Sequence, residues 1–214
     1  GVKVRIKTPE NITLVTAEQY ANAAITAGVT DAEIEVAAVS KVTGESALTG
    51  VYKAFEANGV QLDAKRTEVA QQELEVTNKI AQENANQKGF DSSKLDKAMI
   101  EIKKELAELK QKQGQLATKE DIERIINDAL KNNSLQNVIS KDQINALVAF
   151  AQNYQNTSAI DSKQVLEQLN SLSKSVGEKI NSLVEQAKNE GWLDKIAQFF
   201  SSIFESIKNL FNQQ

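Results

Sequence analysis

The chain contains no histidine and no cysteine, and those two absences exclude more chemistry than any motif adds. Without imidazole or thiolate there is no Ser-His or Cys-His nucleophile pair and no zinc site of the usual nitrogen and sulfur ligands. A disulfide scaffold is excluded too, although the compartment stays open, because a cysteine-free chain suits export and the cytosol equally. Proline occurs once, at Pro9, so no later break between helices is forced by a ring. Aromatics make up 5% of the residues, which predicts an aliphatic core. A basic surplus is also missing: 25 Lys and Arg face 29 Asp and Glu, a formal charge of −4, and nucleic acid is not expected as a partner. No run of about 18 apolar residues occurs, so no spanning helix is expected. Gly1 to Lys7 lack the apolar middle and cleavage site of a signal peptide, and the chain opens inside a strand pattern without Met, which suggests that upstream sequence was removed.

What is present is ample for a core. The 214 residues are 41% hydrophobic and 25% charged, and folding is expected without metal, cofactor or disulfide. The first third mixes two periods. Val2, Val4 and Ile6 alternate with Lys3, Arg5 and Lys7, predicting a strand over Val2 to Thr8; after Pro9 a second short strand is expected over Ile12 to Val15. Thr16 and Gln19 form a capping box for a helix that Gly28 ends. Ile34, Val36 and Ala38 alternate with Glu33, Glu35 and Ala37 in a strand over Glu33 to Val39, and Thr43 and Gly44 open a second helix ending near Gly59.

From Leu62 the pattern is helical. Val69, Ala70, Leu74, Thr77, Ile80 and Ala81 share one face of a helix reaching about Asn86, with Gly89 as its stop. Amphipathic segments follow on Leu95, Met99, Ile102, Leu106 and Leu109, then on Ile122, Ile125, Ile126, Ala129 and Leu130, then on Ile144, Leu147, Val148, Ala151 and Tyr154. Their starts are marked by Thr118 with Asp121, Ser140 with Gln143 and Asp161 with Gln164. A long segment from Val165 to Ala187 leads through Asn189 and Gly191 into a last helix.

Candidate sites are few. Thr43 to Gly50 is rich in small residues and lies before a helix, where backbone N–H groups can hold an anion. Gly44 and Gly50 have the wrong spacing for a phosphate loop, no Lys follows Gly50, and Glu45 repels phosphate. Both glycines are therefore read as structural, with Ala47 and Gly50 allowing close approach of the helix to the sheet, so that Val at 50 is expected to overpack. Ser171 and Lys174 match Ser-x-x-Lys of penicillin-recognising enzymes, but the companion motifs are absent. The carboxylate pairs Glu33/Glu35, Glu73/Glu75 and Asp121/Glu123 lack the spacing of a calcium loop and are read as solvated faces or helix-dipole complements.

Several stretches together resemble a known family. They are Asn11-Ile12-Thr13 through Thr16-Ala17-Glu18-Gln19-Tyr20, Ala27-Gly28-Val29, Glu35-Val36-Ala37-Ala38, Val42 through Phe55, and Glu68 through Leu74. Over about residues 1 to 110 the chain resembles the YpuA-like proteins, a family of unknown function. The resemblance implies an exported protein of a Gram-positive bacterium, located outside the cell or in its envelope, and it carries no catalytic residue across.

The fold expected is α+β, a small N-terminal sheet with helices followed by a mainly α-helical C-terminal region of about five segments. The division expected is 1–88 as a small α/β unit, 89–190 as a helical region and 191–214 as an amphipathic helix. In that last helix Trp192, Ile196, Phe199, Phe200, Ile203, Phe204, Ile207 and Phe211 recur at three- and four-residue steps, forming a large apolar face. They are the expected interaction surface, for a membrane surface or an envelope protein, with packing against the Val165 to Ala187 helix as the competing use. No cofactor is expected, and the oligomeric state stays open. The function expected is binding of a cell-surface component or partner by a non-enzymatic envelope protein through its helical half. A carboxylate-based envelope hydrolase and a structural helical spacer are the alternatives.

Overall fold

The computed structural model describes residues 1–189. The chain divides into two units after Val176. The first holds two strands and most of the helical residues; residues 177–189 of the second carry the last described helix to Asn189.

Strand β1 (Lys3–Ile6) pairs in parallel with β2 (Glu33–Val36), Lys3 opposite Glu33 and Arg5 opposite Glu35. Parallel strands need a crossover, and α1 (Ala17–Ala27) makes it. Both strands are shorter than the alternation predicts. The second strand expected over Ile12 to Val15 is absent: the Thr8 carbonyl accepts from the N–H groups of Asn11 and Ile12 in a turn after Pro9, leaving one parallel bridge between Ile12 and Val42. Ile12 and Val15 are nevertheless buried, in a cluster with Tyr20, Val36, Leu48, Ala70 and Leu74.

The helices that follow are α2 (Ser46–Ala57), α3 (Ala64–Asn84), α4 (Ser92–Gln113), α5 (Lys119–Asn132), α6 (Lys141–Gln155), a 3-10 turn at Ser158–Asp161 and α7 (Lys163–Asn189). The sheet is thus small and N-terminal and the rest helical, as the periodicities predict. The capping boxes of Thr16 with Gln19, Thr118 with Asp121 and Ser140 with Gln143 all form. One cap shifts: Asp161 lies in the 3-10 turn, and Ser162 Oγ accepts from the Val165 N–H, so α7 starts one residue later. Asp63 and Asp91 cap α3 and α4, accepting from the N–H groups of Arg66 and of Ser93 and Lys94.

Helix α1 packs on α3 and α4, α3 on α6, and α4 on α5, so the turn near residue 88 lies between elements sharing one core. The side chains across that turn also meet, Thr16 Oγ1 donating to Asp96 Oδ2 at 2.9 Å. The core is aliphatic apart from Tyr20, Tyr154 and Phe150, with Leu74, Leu95, Met99, Ile100 and Ile102 at its centre.

Candidate functional site

One pair of opposite charges is sealed inside the helical core. Helix α4 buries a face of Met99, Ile102, Leu106 and Ala107, and Lys103 lies on that same face with none of its side chain exposed. Helix α3 buries Val69, Ala70, Leu74, Thr77, Ile80 and Ala81, with Glu73 among them. The two charges meet: Lys103 Nζ donates to Glu73 Oε1 at 2.8 Å. Its other two protons reach acceptors on α1, the Asn22 carbonyl at 3.1 Å and Thr26 Oγ1 at 3.0 Å. Thr26 in turn donates to Glu73 Oε2 at 2.6 Å. An ammonium has three donors and no acceptor, so the lysine is saturated.

The reason these cations gather at α1 lies in the helix itself. The last turn of α1 carries no basic residue, yet its terminal carbonyls and dipole favour positive charge. Arg66 supplies it from α3, donating through Nε to the Thr26 carbonyl at 2.7 Å and through a terminal nitrogen to the Ile25 carbonyl at 3.0 Å. The Tyr154 ring of α6 lies with its centroid 5.8 Å from Lys103 Nζ, within cation–π range. Burial pushes the Lys103 ammonium below the usual lysine value, while the Glu73 carboxylate pulls the other way. Burial also raises all three tyrosines, Tyr20 to about 12.

This constellation corrects the reading of Glu73 as part of a solvated face; Glu73 is 1% exposed. Lys103, Thr26 and Asn22 escape sequence inspection, although a signal existed, since Glu73 and Lys103 each occupy a core position of an amphipathic stripe and carry opposite charge. Chemically the cluster is closed. It lines none of the open clefts described below, and every donor of Lys103 is used within the protein, so it ties α1, α3 and α4 together and presents nothing to a substrate.

The other carboxylate pairs stay at the surface, as expected. Glu33 and Glu35 are exposed and meet Arg5 and Lys7 across the sheet at 3.4–3.9 Å. Asp121 caps α5 and Glu123 reaches Lys119 at 3.7 Å. Among the described residues no group of Asp and Glu is arranged to hold a metal ion. Ser171 and Lys174 are exposed on α7. Trp192, Ile196, Phe199, Phe200, Ile203, Phe204, Ile207 and Phe211, the interaction face expected from sequence, lie outside the described residues. No described helix is long and apolar enough to cross a membrane.

The glycine-rich stretch divides into two different positions. Gly44 has φ +97° beneath the core cluster; an added Cβ lies 2.5 Å from Tyr20 Oη and 3.1 Å from both Ile12 and Val15. Its carbonyl accepts the Tyr20 hydroxyl at 2.5 Å, and the structural reading holds there. Gly50 differs from its expectation. It lies inside α2, exposed, with nothing within 4 Å of an added Cβ, so the close approach to the sheet and the overpacking by Val are not found.

Open surface occurs instead on either side of the sheet. One cleft of about 420 Å³ runs between Val2, which precedes β1, with Lys3 and Val4 of β1, and residues of α1 and α7, among them Ala21, Ser171 and Leu172. A second, of about 410 Å³, separates residues 32–37 from Ala47, Gly50, Val51, Ala54 and Phe55 of α2.

The family model described as "Protein of unknown function (DUF1002)" matches residues 1–172, past the stretch on which the resemblance was noted and into α7. The uncharacterized protein YpuA of Bacillus subtilis (strain 168) is 34% identical over 205 residues, 94% of this chain and 64% of that protein. The chain therefore spans less than two thirds of the length of that curated relative. No solved structure shows a significant match.

Proposed function

The chain belongs to the DUF1002 family of proteins of unknown function, and from that premise we propose that it is a non-enzymatic protein of the bacterial envelope or exterior that binds a surface component or partner. One observation carries the reading. The buried Glu73–Lys103 pair spends its hydrogen bonds on the protein itself, while the two clefts beside the sheet are lined chiefly by small and apolar residues. Their carboxylates are Glu18 in one and, in the other, Glu33 and Glu35, which are exposed and held by Arg5 and Lys7. Acid–base catalysis needs a titratable group within reach of a substrate proton, whereas recognition needs shape, apolar surface and unsatisfied polar groups. The envelope location is supported by the resemblance to exported proteins.

The test is direct. The fluorescently labelled chain, incubated with envelopes isolated from Bacillus subtilis, is expected to bind saturably, to be competed by unlabelled chain, and to release no soluble envelope fragments over hours. Absence of saturable binding sinks the proposal, and time-dependent release of fragments moves the protein to the hydrolase reading. Flotation with neutral and anionic vesicles, comparing the whole chain with one ending at residue 190, tests whether the face from Trp192 to Phe211 contributes by meeting a membrane.

A further inference from the structure

We propose that the cleft between β2 and α2 binds an extended polypeptide segment, added to β2 as a further strand, whose residues alternate apolar with lysine or arginine; the inference rests on the reading of this chain as a binding protein. Three independent features of the cleft converge on that occupant.

The first is main-chain chemistry. In a strand, successive residues turn their N–H and C=O groups to opposite edges. The carbonyls of Ala32, just before β2, and of Val36 accept from Lys3 of β1 and from Lys7 just after it, so in this parallel register the even-numbered residues of β2 spend their backbone groups on β1. Those of Glu33 and Glu35 point to the other edge, which borders the cleft and, among the described residues, has no further strand on it. Unused N–H and C=O groups along an edge are a template for another chain, and strand addition beside a helix is an established mode of peptide recognition.

The second is the helix across the cleft. Ala47, Gly50, Val51, Ala54 and Phe55 follow the i, i+3, i+4, i+7, i+8 spacing of a single helix face, yet Leu48 is the one fully buried residue of α2. The apolar stripe is therefore only partly covered. Gly50 lies in the middle of it, where glycine weakens a helix relative to alanine and meets no neighbour that requires its size. Glycine at such a point leaves room for a second backbone.

The third is charge. Ile34 and Val36 face the core shared with Ala47 and Leu48, so Glu33 and Glu35 occupy the opposite, solvent face of the sheet. On one flank they meet Arg5 and Lys7, and all those contacts fall on the Oε1 atoms. The flank toward the cleft has no such partner among the described ion pairs. Opposite charges directly across a pair of strands stabilise it and like charges destabilise it. An incoming strand thus matches if its solvent-side residues are basic and its other residues are apolar, meeting the α2 stripe. The four residues of β2 offer a register of about 13 Å.

The experiment uses the full chain and a fluorescein-labelled heptapeptide of alternating valine and lysine, read by anisotropy. Saturable binding is expected, at least ten-fold tighter than for the same peptide with glutamate in place of lysine. N-methylation of alternate amides is expected to abolish binding on one set and spare it on the other, because one edge alone pairs. Gly50→Leu fills the cleft and is expected to weaken binding at least ten-fold with the melting temperature unchanged or raised. The exposed double variant Glu33→Lys with Glu35→Lys gives a second route, expected to reverse the preference toward the glutamate peptide. Lack of saturable binding overturns the proposal, as does binding indifferent to N-methylation or to Gly50→Leu. Self-association that Gly50→Leu abolishes overturns the assignment of the occupant in favour of a second copy. Loss of envelope binding with peptide binding intact sinks the broader function alone; envelope binding retained while the peptide fails sinks the strand site alone.

Discussion

At the junction of α1, α3 and α4 the ammonium of Lys103 is sealed from solvent with three acceptors at 2.8–3.1 Å. At β2 the arrangement is reversed: the backbone of Glu33 and Glu35 faces an open cleft, and the helix across it leaves an apolar stripe half covered. The first place has buried a charge pair and given every proton of its ammonium an acceptor, which is how burial of a charge is tolerated. The second has neither fully buried its apolar groups nor satisfied its edge. In a chain without His or Cys, the difference separates what holds the fold from what is free to meet a partner.

The sharpest way to break that comparison is to leave one charge of the sealed pair alone. Glu73→Leu strands the Lys103 ammonium and is expected to cost about 3 to 5 kcal/mol in urea unfolding. The double variant Glu73→Leu with Lys103→Met removes both charges and is expected to regain most of the loss, since apolar replacement of a buried pair is often neutral or better. A double variant as unstable as the single one contradicts the account of the pair as a saturated tie.

Next in size is an alkaline effect. Burial raises the tyrosine hydroxyls above the ordinary value of 10.0, Tyr20 to about 12. A group whose folded pKa is raised contributes stability that is complete below the unfolded pKa and lost as pH rises through the folded one. At about 1.4 kcal/mol per pKa unit, Tyr20 alone should forfeit on the order of 2 kcal/mol between pH 10 and 12. Tyrosinate absorbance is therefore expected to stay low in the native protein at pH 10.5 and to appear on unfolding in urea. Early ionisation of any of the three shows a less sealed interior.

Much of the sealed region was legible in the sequence, and the open region was not. Local signals decide the helices: three capping boxes, the αL glycine at Gly28 and the apolar stripes of α3, α4 and α5 all lie within one or two turns of the residues they govern. The pairing of Glu73 with Lys103 spans 30 residues, and neither stripe alone says which helix faces which. Ile12 to Val15 carries strand propensity, but a tertiary demand wins, Ile12 and Val15 filling the core beneath Gly44 while the backbone turns at Thr8. The cleft is less visible still. A sequence shows that α2 has an apolar face; only the fold shows that the face is left partly uncovered.

Gly44 and Gly50 belong to one small-residue stretch and now make opposite predictions. Gly44 belongs to the sealed side of the comparison. Gly44→Ala forces a left-handed backbone at φ +97° and drives a Cβ to 2.5 Å from Tyr20 Oη, for an expected loss of about 2 kcal/mol. Adding Tyr20→Phe relieves the clash but leaves the Gly44 carbonyl without its donor, so recovery should be partial. Full recovery means that the hydroxyl, not the backbone, set the cost.

Gly50 belongs to the open side, and its effect is the smallest and opposite in sign. It is interior to α2 and, unlike Gly44, is absent from the glycines with positive φ. Alanine can adopt its backbone, and the added methyl has nothing within 4 Å to strike. Two terms then act in one direction: the unfolded chain loses freedom and the helix gains a better former. Gly50→Ala is expected to stabilise by about 0.5 to 1 kcal/mol, and Gly50→Val by less, because a β-branched side chain loses rotamer freedom in a helix. Paired urea melts of the two variants decide between the packings. Stabilisation by alanine with valine near neutral fits an open stripe awaiting a partner. Destabilisation by both, with valine worse, returns α2 to tight contact with the sheet, as its small residues alone suggested, and closes the cleft.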